Sequence, residues 1–115
     1  MDPSSLVAQW LRYATANKVS AEVRAKSGDL FGAELARTRG EVRRAAALLL
    51  QEMRADPLGA AKVMHERAAA IWVRDLPLIG FDAAALTYTK ARTWQDCARA
   101  IDPELPIVQQ RLTWD

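Results

Sequence analysis

Few residues in this 115-residue chain are equipped for chemistry: one histidine, His65, one cysteine, Cys97, and scattered carboxylates. His65-Glu66 opens like the zinc-protease motif HExxH, but Ala69 stands where the second histidine ligand belongs. One His and one Cys cannot assemble a Cys/His zinc site. A nucleophile pair of Cys97 and His65 has no supporting signature. The plainer reading makes Cys97 a small core residue and places His65 at the border of a helix face. Asp102 and Glu104 fall in a turn sequence, where backbone capping accounts for them. No GxxxxGK(S/T) or GxGxxG stretch is present to cradle phosphate. The expectation is a protein that is not an enzyme and uses no metal and no cofactor.

The elements that position these residues are expected to be helices. Half the chain is hydrophobic and 26% is charged, a balance that suits one globular domain over residues 1–115. Five Gly and five Pro are few for a turn-rich β architecture, and alanine is abundant. The first helix is expected to start behind Ser4 or Ser5 and run to Asn17, with Leu6, Val7, Trp10, Leu11 and Ala14 on one side. A polar passage, KVSAEVRAKSGD, follows. Asp29 then caps a long helix from Leu30 to Ala55, whose stripe is Phe31, Leu35, Thr38, Val42, Leu49 and Met53. Asp56-Pro57 starts a third helix reaching Arg74, Asp82 caps a fourth ending near Ala91, and Thr93 caps a fifth. The predicted fold is therefore an all-α, single compact bundle of about five helices, with residues 1–75 as its core and 81–115 as its C-terminal helices.

Two stretches stand apart from ordinary packing. AAALLL, Ala45–Leu50, is apolar around the whole helix, so it belongs either at the centre of the bundle or in a subunit interface, with Leu48 and Leu50 as contact residues and a dimer as one outcome. RTRGEVRR places Arg37, Arg39, Arg43 and Arg44 against a single Glu41 and away from the apolar stripe. It reads as a solvated helix face or as a sequence-independent phosphate-contacting stripe. Of four tryptophans, Trp10 and Trp72 sit on apolar faces. Trp94 and Trp114 are expected to be partly exposed, as anchors for a protein partner.

The pattern DCARAIDPELPIVQQRL carries a further resemblance. Residues 94–113 resemble the helix-turn-helix of bacterial repressors and activators, with Ala98, Ile101, Val108 and Leu112 at the family's packing positions. The resemblance implies that Gln109, Gln110 and Thr113 face the major groove and that Arg111 reaches a phosphate. The sequence departs from the family at the turn, where Asp102-Pro103 replaces the usual Gly, and in charge. From Thr93 onward there are two Arg against four acids.

The functional expectation is a small nucleic-acid-associated protein, a regulator or a subunit of a nucleoprotein assembly, that contacts phosphates through its arginines. The alternative is a helical adaptor or inhibitor that acts by binding another protein. The longest apolar runs are six residues against the roughly 20 needed to cross a bilayer. With no secretory signal pattern and no cysteine pair, no membrane association and a cytoplasmic setting are expected.

Overall fold

The computed structural model describes residues 2–72 and 81–107, with the side chains of 81–83 excluded. Every regular element among them is helical: α1 (Pro3–Lys26), α2 (Leu30–Glu52), α3 (Pro57–Ala70) and α4 (Phe81–Ile101). The bundle thus has four described helices rather than about five. No described helix is long and apolar enough to cross a membrane.

The helix starts follow one chemical signal used three times. Asp2, Asp29 and Asp56 each accept a backbone N–H through the side chain, from Ser4 (3.1 Å), Gly32 (2.9 Å) and Gly59 (3.0 Å). A carboxylate there satisfies an orphan N–H and meets the positive end of the helix dipole. Pro3 and Pro57 occupy first-turn positions, where the missing N–H costs nothing. The Asp-Pro signal expected at Asp56 therefore also operates at Asp2, and Ser5 instead donates its hydroxyl to the Asp2 carboxylate.

α1 does not stop at Asn17. AEVRAK contains good helix formers and no Gly or Pro, so nothing breaks the ladder before Gly28. There the chain turns with φ +89°, a left-handed conformation that glycine adopts without steric cost. The Gly28 N–H donates to the Ala25 carbonyl and the Asp29 N–H to the Arg24 carbonyl, closing a Schellman motif. The expected linker is thus the second half of a helix, and α1 and α2 form one long hairpin.

α4 likewise absorbs the expected break between the fourth and fifth helices. Thr93 is buried in mid-helix, and its hydroxyl donates to the Thr89 carbonyl at 2.7 Å. A threonine that returns its hydroxyl to the preceding turn needs no helix start to satisfy it.

The main core gathers Trp10 of α1, Val42, Ala46, Ala47 and Leu50 of α2, Ala60, Ala61, Met64 and Ala68 of α3, and Ala91, Trp94, Cys97, Ala98 and Ile101 of α4. Ile71 and Trp72 close one end, the indole of Trp72 lying edge-on to Tyr88 at 4.9 Å. The Trp72 Nε1–H is buried without an acceptor among the described residues, a condition that costs on the order of 1–3 kcal/mol. A small satellite cluster of Ala21, Ala33 and Ala36 joins the hairpin near its tip. α1 packs along α2 and almost nowhere else, whereas α4 packs on both α2 and α3. The Cα trace spans 41 × 40 × 17 Å. Among the described residues, a broad face of the hairpin is covered by neither α3 nor α4.

Candidate interaction surface on the helical hairpin

α2 has two packing faces, and the sequence pattern revealed one. The large apolar stripe runs through Val42 and Leu49 toward α4 and ends in Phe31, which is 45% exposed. The second face is Ala33, Ala36, Gly40 and Ala47, all buried and turned to α1. Small side chains let the two backbones approach closely. A Cβ added at Gly40 would lie 3.1 Å from the Asn17 Cβ and 3.2 Å from the Ala14 carbonyl oxygen. Gly40 therefore marks a close crossing of the two helices.

This second face redistributes the four arginines. Arg43 lies half-buried beside the seam, donates to the Asn17 side-chain oxygen at 2.6 Å and covers the Tyr13 ring at 5.3 Å from its centre. Arg39 is half-buried as well. Arg37 and Arg44 remain exposed, and Arg37 pairs with Glu34. Helical spacing places Arg37 and Arg44 roughly 100° or more around α2 from Arg39 and Arg43. The reading of all four as one solvated face is thus corrected, because α1 claims Arg43. Arg43→Ala is expected to lower stability by about 1–2 kcal/mol, since a charge-assisted hydrogen bond and a ring contact both vanish. Arg44→Ala should shift it by less than about 0.5 kcal/mol. Urea unfolding of the two variants decides the matter, and equal losses would contradict this placement.

On the open side, the α1–α2 seam forms a shallow groove. Its floor is Ala14, Ala21 and Gly40, and its walls carry Lys18, Glu22, Arg37, Glu41 and Arg44. The groove continues toward the N-terminus past Ser4, Val7, Ala8 and Leu11, with Leu50, Gln51 and Arg54 across from them. Positions 4, 8, 11, 18 and 22 of α1, and 37, 41, 44, 48 and 51 of α2, each fall within an arc of about 80°, so both stretches belong to one face. That face exposes Leu11 (37%) and Leu48 (52%).

The expected contact residues separate accordingly. Of AAALLL, Ala46, Ala47 and Leu50 are completely enclosed, and Leu48 alone is exposed. Leu50 is therefore a core residue of the monomer. Trp94, expected at the surface, is buried, with the Arg67 guanidinium 5.0 Å from its ring centre. Its position within a continuous α4 removes the exposure that a helix start would have given it. Trp114 lies outside the described residues, as do Gln109, Gln110, Arg111 and Thr113.

Of the helix-turn-helix pattern, the described part comprises the last turns of α4 and the bend after it. Ala98 and Ile101 are buried in the main core. The bend is fastened to its surroundings by side chains donating to its carbonyls: Arg99 to Leu105 (3.1 Å) and Pro103 (3.4 Å), and His65 Nε2 to Pro106 (2.8 Å). No described non-glycine residue has positive φ, so Asp102 does not reproduce a left-handed glycine turn. It instead accepts the Glu104 N–H through its side chain.

Cys97 is enclosed in the core, and burial pushes its thiol up to about 12, with Arg43 opposing slightly. A raised thiol pKa makes the folded state hold its proton longer than the unfolded state does. The associated stability is complete below the unfolded thiol's value, near 8.5, and drains away as pH rises toward 12. At pH 8 the folded protein should resist thiol-alkylating reagents that label it fully in urea. Rapid labelling without denaturant would show that Cys97 is open to solvent. Among the described residues no group of His, Cys, Asp and Glu is arranged to hold a metal ion.

These features define a chain whose regular elements, among the described residues, are all helical and are built on a two-helix hairpin with one face that α3 and α4 leave uncovered. No protein-family model, curated protein or solved structure matches it.

Proposed function

We propose that this protein is a non-enzymatic helical adaptor that binds another protein through the open face of the α1–α2 hairpin. One observation carries the reading: Leu11 and Leu48 are exposed beside an uncovered seam, while the remainder of the apolar run Ala45–Leu50 is spent on the protein's own packing. Exposed leucines on the helical face that bears the seam resemble the core of an interface ringed by polar residues. The test is affinity capture from the host with the tagged protein and with the double variant Leu11→Asp, Leu48→Asp. A partner protein retained by the first and lost by the second, with unchanged circular dichroism, supports the reading. The same partner retained equally by both ends it.

A nucleic-acid-associated role is the second reading, favoured by how charge is segregated. Residues 12–44 hold eight Lys and Arg against four Asp and Glu, whereas the rest of the chain carries more acids than bases. The hairpin would then contact phosphates through Arg37 and Arg44, without reading sequence. Any choice between DNA sequences would rest on Gln109, Gln110, Arg111 and Thr113. A duplex mobility shift that weakens with salt and disappears with Arg37→Glu plus Arg44→Glu would favour this role. No shift at low salt removes it.

A further inference from the structure

The open face has a charge pattern as well as an apolar floor, and together they specify the occupant. Lys18, Arg37, Arg44 and Arg54 border the seam against Glu22 and Glu41, all six exposed, with Glu34 pairing Arg37 from its own helix. Arg37 and Arg44 stand two helical turns apart, about 10 Å along α2. Lys18 faces them from α1 across the buried Ala14 and Gly40. Leu48 falls between Arg44 and Arg54 along α2, and Leu11 lies across the seam from Gln51 and Arg54. An extended strand would leave its own N–H and C=O groups unpaired, because a helical surface offers no sheet edge to bond them. A helix satisfies its backbone internally and presents a ridge of side chains to the groove between two others.

We propose that the seam receives an acidic amphipathic helix of a partner protein, its apolar ridge against Leu11, Leu48, Ala14 and Gly40 and its carboxylates against Lys18, Arg37, Arg44 and Arg54. This rests on the adaptor reading and adds the chemistry of what is bound. α1, α2 and the incoming helix then form a three-helix layer. Small residues in the floor let the third helix approach closely, so that its ridge reaches the seam instead of resting on the rim. The four border cations act at the edge, where water is present, and set orientation and partner choice more than total affinity.

The probe is a fluorescein-labelled peptide of about 18 residues, long enough for roughly 27 Å of helix. It carries Leu at i, i+3, i+4 and i+7 with Glu on both flanks, and a second peptide replaces each Glu with Lys. Titration with the full-length protein, followed by anisotropy, should show saturable binding of the acidic peptide and at least tenfold weaker binding of the lysine peptide. The triple variant K18Q/R37Q/R44Q, confirmed folded by circular dichroism, should lose about tenfold in affinity for the acidic peptide, as expected of three rim pairs. That loss should shrink at high salt.

Equal binding of the two peptides, preference for the lysine peptide, or binding of neither overturns the acidic assignment. In each case the host-capture result, and the adaptor reading with it, stands or falls separately. Duplex DNA that displaces the acidic peptide better than unlabelled peptide does would also overturn the assignment, and would favour the phosphate-contacting role.

Discussion

Replacing Trp10 with alanine is expected to lower the unfolding free energy by about 3–5 kcal/mol, the range for removing a large aromatic from a packed interior. Trp10 is 4% exposed and is the one α1 residue among the buried members of the main core. α1 otherwise meets the bundle through the partly buried Leu6 and Val7 and an alanine and glycine seam, whose small side chains bury little area apiece. Trp10 therefore anchors an edge helix that has one neighbour. Urea unfolding monitored by circular dichroism measures the loss. A change below roughly 1 kcal/mol would mean that α1 is held by the seam alone.

The second large effect separates two neighbours in AAALLL. Leu50 is wholly buried, and Leu50→Ala should cost about 2–5 kcal/mol through lost burial and the cavity left behind. Leu48, two positions earlier and 52% exposed, should change stability by less than about 0.5 kcal/mol on the same substitution. Leu48→Ala is expected to show itself in partner binding instead. Similar stability losses at the two positions would mean that Leu48 is enclosed, either by the chain itself or by a second copy. In the latter case, the apparent stability of the wild type would rise with protein concentration.

The contrast between Leu48 and Leu50 also shows why a run apolar on every side misleads when read alone. Such a run predicts neighbours all round, but among the described residues α2 is surrounded on three sides: by α1 through Ala47 and Leu50, by α4 through Val42 and Ala45, and by α3 near its end. The side left over is the open face of the hairpin. Arg43 and Arg44 repeat the lesson for charge. Adjacent in sequence, they stand roughly 100° apart on a helix, so one is drawn into the seam with Tyr13 and Asn17 while the other stays in water.

Local chemistry was readable because it depends on neighbours in the chain. The helical class follows from alanine content and periodicity, and the starts of α2 and α3 follow from Asp29 and Asp56 as carboxylate caps, since capping involves residues two or three positions apart. Cys97 as a core thiol and the absence of a zinc-binding spacing at His65 follow from residue counts of the same simple kind. Tertiary structure decided the rest. KVSAEVRAK, free of Gly and Pro, continues the helix, but its packing was illegible because Ala21 and Ala25 meet Ala33 and Ala36 on the partner helix, and alanine-on-alanine packing leaves no large-residue stripe to read. Thr93 is buried within an α4 that packs on both α2 and α3, its hydroxyl satisfied inside its own helix. Which arginines and leucines face outward depended on where α3 and α4 lie against the hairpin, a relation between distant segments that no local pattern records.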